Sequence, residues 1–169
     1  QWWNPEDYLQ NDDQYSSDEI YRKIEEILIS SIKLRMRSDV PIGSSLSGGL
    51  DSSILTGILY THYDVKDNYT TFTSSFPDHP IDETIYIDYL NRKYPFTNYR
   101  TFPTANRAFD NLKEFVYAND EPAFNPSFYS QYEVMKLAKE NGVTVLIDGQ
   151  GGDENFAGYH YFHGFYLNG

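Results

Sequence analysis

Short runs rich in β-branched and aromatic residues alternate with helical patterns along most of this chain. Strands that alternate with helices usually pair in parallel, and the helices then cover the faces of the sheet. The pattern therefore predicts an α/β fold with a parallel sheet and helices on both faces. The predicted strands are 42–47, 69–76, 99–102 and 143–147, and the predicted helices are about 18–37, 52–62, 82–94, 104–119 and 127–141.

Residues at the ends of these elements support the assignment. Ser16 and Glu19 have the spacing of a capping box at the start of the first helix. Pro41 cannot continue that helix. Asp82 is predicted to cap the third helix, although it and the neighbouring Glu83 could also touch a substrate. The run 143–147 reads VTVLI, which predicts a strand that is buried on both faces.

Two glycine-rich turns each follow a predicted strand directly. The first, 47–53, reads SGGLDSS, and the second, 148–153, reads DGQGGD. In open parallel sheets, ligands bind beyond the carboxyl ends of the strands. We therefore expect both turns to face one crevice at the same end of the sheet.

The first turn has the composition of a phosphate cradle. Gly48 and Gly49 let backbone N–H groups approach a ligand, and the start of the following helix favours negative charge. The Gly-Lys-Ser/Thr ending of a Walker loop is absent, and the glycine spacing differs from that of a dinucleotide fingerprint. Asp51 inside such a cradle is best explained as a magnesium anchor. The alternative is a tight turn in which Asp51 caps the helix.

The charge of the chain restricts what it can bind. Its 25 acidic and 13 basic side chains give a formal net charge of −12, which argues against a nucleic-acid groove. A bound polyanion would need backbone donors and a divalent cation to offset the repulsion. The absence of cysteine excludes a cysteine nucleophile and a thiolate metal site within the chain, and it fits a reducing, cytoplasmic location. No apolar run reaches the length of a membrane span, so we expect no membrane partner.

Several motifs together resemble a known family. The run SGGLDSS is similar to the pyrophosphate-binding motif of the PP-loop ATP pyrophosphatases, and within them to the synthetase domain of the asparagine synthetase-like family. Further similar segments occur in the family's order and span nearly the entire chain. They are RSDVP at 37–41, DEP at 120–122, NPS at 125–127, DGQGGDE at 148–154 and FAGY at 156–159.

The resemblance implies a fold and a division of the chain. The fold is that of the PP-loop, or adenine nucleotide alpha hydrolase-like, proteins. Residues 1–15 would be a lead-in, and residues 16–169 would be a partial nucleotide-binding synthetase core. The carboxyl-terminal part of that domain, and a glutaminase domain, would lie outside this chain. We therefore expect the isolated chain to be inactive.

The resemblance also implies an activity. ATP and Mg²⁺ would be used to activate a small carboxylate, aspartate or similar, as an acyl-AMP with release of pyrophosphate. Ammonia from the glutaminase domain would then displace AMP and form an amide. Pyrophosphate contacts map onto Ser47, Gly48, Gly49, Ser52 and Ser53, backbone contacts with the adenine onto Leu46 and Ser74, the adenylate contact onto Gly149, and magnesium ligands onto Asp51 and Asp153.

One departure from the family affects the chemistry. Familiar members carry Ser-Gly-Glu where this chain has Asp148, Gly149 and Gln150. Gln150 cannot ionise, so it can orient a group but cannot accept a proton. Asp148 adds a charge beside the adenylate and could supply the carboxylate, so these two residues are the predicted catalytic pair.

The departure leaves other functions open. One is a related PP-loop amidotransferase, or a lactam or macrolactam synthetase, that acts on another carboxylate. Another is a nucleotide-binding module without catalysis. A homodimer of the whole protein also stays open. His160 and His163 have helical spacing but are expected to be ordinary surface or core residues, and the aromatic stripe 156–166 is expected to pack against the rest of the domain.

Overall fold

The computed structural model describes residues 15–63, 65, 69–123 and 125–168, together with Asn4. The predicted lead-in therefore lies almost wholly outside the described residues. The described part alternates between helices and strands, as the sequence predicts. Its elements are α1 (Ser17–Arg35), β1 (Ile42–Ser45), α2 (Leu50–His62), β2 (Thr70–Ser74), α3 (Thr84–Lys93), β3 (Thr97–Thr101), α4 (Ala105–Asp110), α5 (Leu112–Asn119), α6 (Pro126–Glu140), β4 (Val145–Ile147), α7 (Gly152–Phe156) and α8 (His160–Asn168).

The four strands form one parallel sheet in the order β3-β2-β1-β4. Ser44 in β1 is aligned with Thr71 in β2 on one side and with Ile147 in β4 on the other. Strands β1 and β4 are therefore neighbours although about a hundred residues separate them. This pairing brings together the two turns that follow them.

Apolar side chains bury the helices against the sheet in three clusters. Helices α1 and α2 contribute Ile32 and Leu59 to the first cluster. Helix α6 packs Val134 against Phe72 of β2 in the second cluster. Ile87 of α3 meets Leu46, at the end of β1, in the third. The predicted α/β architecture is confirmed. Among the described residues, no helix has both the length and the apolar character needed to cross a membrane.

Local signals set several helix ends. The capping box is confirmed: the Ser16 hydroxyl accepts the Glu19 N–H, and the Glu19 carboxylate accepts the Ser16 N–H. Asn125 caps α6 through the N–H of Ser127, and Pro126 takes the first helical position.

Three local predictions were wrong. Strand β4 lies at the edge of the described sheet, so Val145 is 37% exposed rather than buried on both faces. The helix predicted for 104–119 is two helices that meet at Asn111. Asp82 does not occupy the cap position of α3, which belongs to Glu83. Its carboxylate instead accepts hydrogen bonds from the Phe76 N–H, at 2.9 Å, and the Thr84 hydroxyl, at 2.7 Å.

Candidate active site

The two glycine-rich turns meet at the carboxyl ends of β1 and β4. A Cβ atom placed on Gly149 would lie 3.1 Å from the backbone nitrogen of Ser52 and 3.3 Å from Cβ of Asp51. A Cβ atom on Gly152 would overlap the carboxyl group of Asp51. The backbone of the second turn therefore packs directly against the first turn. The two turns together form a single crevice, as expected.

A cavity of about 570 Å³ opens between the turns. Eight of the twelve predicted site residues line it, whereas Leu46, Gly48, Ser53 and Ser74 do not. Glu83, Gln131 and Phe156 line it in addition. The predicted residues in the lining are Ser47, Gly49, Asp51, Ser52, Asp148, Gly149, Gln150 and Asp153.

Hydrogen bonds within the first turn fix its shape. The Ser47 hydroxyl accepts the Gly49 N–H at 3.2 Å and lies 3.1 Å from the Ser52 hydroxyl. The Ser52 hydroxyl in turn donates to the Gly49 carbonyl. Gly48 has a φ of +96°, and a Cβ there would lie only 2.7 Å from the Glu83 carbonyl oxygen. Only glycine satisfies both constraints, so the loop can curl around a ligand.

The start of α2 points its backbone donors into this loop. Gly49 is the cap residue, and no described side chain caps the helix. The first N–H groups of a helix have no carbonyl partner within it, and the helix dipole adds partial positive charge there. The loop and the helix start together form an anion site built from backbone groups.

Carboxylates face this anion site. Burial raises the pKa of Asp51, and the negative charges of Asp153 and Glu154 raise it further. No cluster of three or more histidine, cysteine or acidic side chains suited to a metal occurs among the described residues. Mg²⁺ usually takes one or two protein carboxylates and completes its shell with phosphate oxygens and water. Asp51 and Asp153 fit that donor set.

A second polar arrangement surrounds Asp148. Its Oδ2 accepts a hydrogen bond from Nε2 of Gln131, at 3.0 Å, and its Oδ1 accepts the Gln150 N–H, at 3.3 Å. The Gln150 side chain is exposed to the cavity. Gln131 carries no recognisable motif, so sequence reasoning missed it.

The two predicted adenine residues lie beside the cavity rather than in its wall. Leu46 is fully buried, its N–H donates to the Phe72 carbonyl, and its carbonyl accepts the Thr73 hydroxyl. The Ser74 hydroxyl oxygen is buried without a hydrogen-bond partner in the described part of the chain. An unpaired buried hydroxyl is costly, and a ligand that satisfied it would gain affinity.

The lining of the cavity is strongly acidic. Asp51, Glu83, Asp148 and Asp153 contribute carboxylates, and none of the described residues that line it is basic. A phosphate ligand in this cavity therefore needs a divalent cation as well as the backbone donors. The two histidines of α8 lie with their ring centroids 6.1 Å apart and are both exposed, as expected of surface residues.

The sequence is similar to known proteins of one family. The model of the asparagine synthase family matches residues 23–169. A putative glutamine-hydrolysing asparagine synthetase 2 of Methanocaldococcus jannaschii is 36% identical over 146 residues, which are 86% of this chain and 28% of that protein. The glutamine-hydrolysing asparagine synthetase 1 of Bacillus subtilis is 30% identical over 150 residues, 88% of this chain and 23% of that protein.

The fold also matches a solved structure. The NH3-dependent NAD synthetase of Campylobacter jejuni, a PP-loop fold, superposes with a TM-score of 0.53 at 14% identity, over 82% of this chain and 60% of that one. The chain spans only about a quarter of the length of the two asparagine synthetases.

Proposed function

The chain belongs to the asparagine synthase family, and from that premise we propose that it carries the nucleotide half of an ATP-dependent carbon–nitrogen ligase. One observation carries the proposal. The start of α2 has no side-chain cap and opens into a cavity, and Asp51 and Asp153, from separate turns, line the same cavity. A backbone anion site faced by such carboxylates suits a nucleotide bound together with Mg²⁺.

The first turn and the start of α2 would hold the β- and γ-phosphates. Gly48 and Ser52 would donate through backbone N–H groups, and Ser47 through its hydroxyl. The N–H groups of Gly49 and Ser53 already donate to the Ser47 hydroxyl and the Gly49 carbonyl, so these two residues would shape the loop. Asp51 and Asp153 would hold the Mg²⁺, which would neutralise charge that develops on the phosphates. The position of the Ser74 hydroxyl, buried and unpaired at the end of β2, supports adenine binding beside it and Leu46.

The proposed first step is the activation of a carboxylate. One carboxylate oxygen attacks the α-phosphorus of ATP, the bond from that phosphorus to the bridging oxygen breaks, and pyrophosphate leaves with the electron pair. Such displacements depend on in-line positioning and charge stabilisation more than on covalent help. Gly149, whose backbone lies against the first turn, would contact the resulting acyl-AMP.

The proposed second step forms the amide. Ammonia, supplied by a glutaminase domain outside this chain, attacks the acyl carbon, and AMP leaves with the electrons of the broken C–O bond. The nitrogen loses one proton in this step. Asp148 would accept that proton, and Gln150 would orient the nitrogen without ionising.

Aspartate is the first substrate to test. The Asp148 and Gln150 pair keeps a second candidate open, namely a related amidotransferase or lactam synthetase that acts on another carboxylate. Both candidates share the activation step. They differ in the carboxylate and, for a lactam synthetase, in the amine, which then belongs to the substrate itself, so product identification distinguishes them.

Pyrophosphate exchange tests the proposal. The whole protein, incubated with ATP, Mg²⁺, labelled pyrophosphate and a panel of carboxylates led by aspartate, should incorporate label into ATP. Asp51→Asn should abolish the exchange, whereas Asp110→Asn, at an exposed position outside the cavity, should leave it unchanged. Magnesium-dependent ATP binding without exchange for any carboxylate would indicate a nucleotide-binding module instead.

A further inference from the structure

One side chain in the cavity belongs to neither turn and yet contacts the proposed catalytic carboxylate. Gln131 lies in the second turn of α6, and its Nε2 donates to Oδ2 of Asp148 across 17 positions of sequence. The other oxygen, Oδ1, accepts the N–H of Gln150. The two oxygens of the carboxylate are thus bound to donors from different parts of the fold.

These two donors differ in how firmly they can hold the orientation of the Asp148 carboxylate. The Gln150 N–H belongs to the same turn as Asp148, so it moves when the turn moves. Gln131 instead lies on a helix that is anchored in the core, because Tyr129 and Val134 on either side of it are only 6% and 3% exposed. The Gln131 amide therefore ties the orientation of the carboxylate to the core.

We propose that Gln131 is a positioning residue, which holds the Asp148 carboxylate in the orientation from which it accepts a proton from the attacking nitrogen. The inference rests on the proposed function. In the step concerned, the nitrogen bonds to the acyl carbon, AMP leaves with the C–O electron pair, and the nitrogen proton passes to Asp148. A carboxylate offers about four acceptor sites, so two neutral donors leave it room to accept that proton.

The chemistry of glutamine suits this role. A lysine or arginine at 131 would neutralise Asp148, and a glutamate would repel it and offer no donor. The amide donates a hydrogen bond without adding charge to a cavity already lined by Asp51, Glu83 and Asp153. The Gln131 amide therefore orients Asp148 without pairing its carboxylate with a cation.

Two variants of the whole protein separate positioning from packing. Gln131→Leu removes the donor and keeps most of the volume. Gln131→Glu keeps both volume and shape but replaces the donor with an acceptor. Glu140→Gln exchanges the same two residue types at an exposed position of the same helix and serves as the control. Each variant is assayed for pyrophosphate exchange and for amide formation with ammonium chloride as the nitrogen source, and the crystal structures of wild type and Gln131→Leu are compared.

Both variants should keep pyrophosphate exchange within about twofold of wild type. Amide formation should fall roughly tenfold in kcat/KM for ammonium, the factor expected when a hydrogen bond worth about 1.4 kcal/mol is lost. The control should match wild type in both assays, and the Asp148 carboxylate should be rotated in the Gln131→Leu crystal.

Three results would overturn the inference. If Gln131→Glu forms the amide as fast as the wild-type protein does, only the packing of this side chain matters. An equal fall in exchange and amide formation would place the effect on the ATP cradle, and an unmoved carboxylate in the crystal would show that Gln131 does not position it. Failure of the proposed function is recognised separately, because the wild-type protein itself would then show no exchange.

Discussion

At position 152 a side chain larger than hydrogen would collide with a carboxylate of the site. A Cβ there would overlap the carboxyl group of Asp51, whereas a Cβ on Gly57, further along α2, would meet only Tyr94 at an ordinary 3.7 Å. The two glycines therefore have different roles although both lie in helices. Gly152 makes room for the proposed magnesium ligand Asp51. Gly57 makes room for nothing and only lowers the stability of its helix, because glycine has poor helix propensity.

Gly152→Ala should displace Asp51 and weaken the magnesium-dependent binding of ATP. We expect a loss of at least about tenfold in affinity, because even outer-shell changes at metal sites commonly cost that much. Isothermal titration of the whole protein with a non-hydrolysable ATP analogue measures it. Unchanged affinity would mean that Asp51 and Gly152 are not packed as described.

Gly57→Ala is the matched helix variant. It should leave nucleotide affinity unchanged and raise stability by about 0.5–1 kcal/mol, since alanine restricts the unfolded chain and its methyl group fits without strain. Thermal unfolding gives the stability. A destabilised variant would show that Tyr94 cannot accommodate the added methyl group.

Among the elements, the connection between β2 and α3 depends on one carboxylate. Asp82 accepts hydrogen bonds from Thr84 and the backbone of Phe76, and these bonds, led by that from the Thr84 hydroxyl, hold its pKa below the ordinary value. A lowered pKa in the folded state means that Asp82 stabilises the fold above its unfolded pKa of about 3.9, and that this stability is lost as the pH falls through the folded value.

Asp82→Ala should therefore cost about 1 kcal/mol at pH 7, the usual net contribution of a hydrogen bond. The deficit should shrink as the pH is lowered below about 4. Thermal unfolding of the whole protein at several pH values tests this, with Asp110→Ala at an exposed position as the control. A deficit that stays constant down to pH 3 would assign the effect to packing.

An ion pair with one buried partner joins α4 and α6, and a hydroxyl of β3 donates to the same carboxylate. Glu133 is 2% exposed and accepts hydrogen bonds from Arg107, Thr101 and Tyr129. Arg107→Met would leave that carboxylate buried with only the two hydroxyl donors. Because the Arg107 side chain is 47% exposed, we expect a loss of about 2 kcal/mol, below the 3–5 kcal/mol typical of fully buried pairs.

Urea unfolding measures the effect of Arg107→Met. Adding Glu133→Gln in the same chain should recover much of the lost stability, since a neutral amide needs no cation. If the double variant is less stable than Arg107→Met alone, the ion pair is not the source of the loss.

For the whole molecule, the alternation of strands and helices as far as β4 and the meeting of the two turns could be predicted from sequence. Apolar periodicity and glycine punctuation are local signals, and parallel pairing follows from the alternation. The exposure of Val145 could not be predicted, because it depends on which strand lies at the edge. The contact of Gln131 with Asp148 escaped prediction because it is made between two elements and leaves no pattern in either.

The central claim is that Asp51 and Asp153, from turns about a hundred residues apart, hold one Mg²⁺ for one ATP. A double-mutant cycle on the whole protein tests it most directly, with magnesium-dependent binding of a non-hydrolysable ATP analogue measured by calorimetry for wild type, Asp51→Asn, Asp153→Asn and the double variant. If the carboxylates share the ion, each single variant should lose at least about tenfold in affinity. The double variant should then be only about twofold weaker than the single ones, because residues that act through one ion are not additive. Losses that add in full, or single variants that bind like wild type, would contradict the shared site.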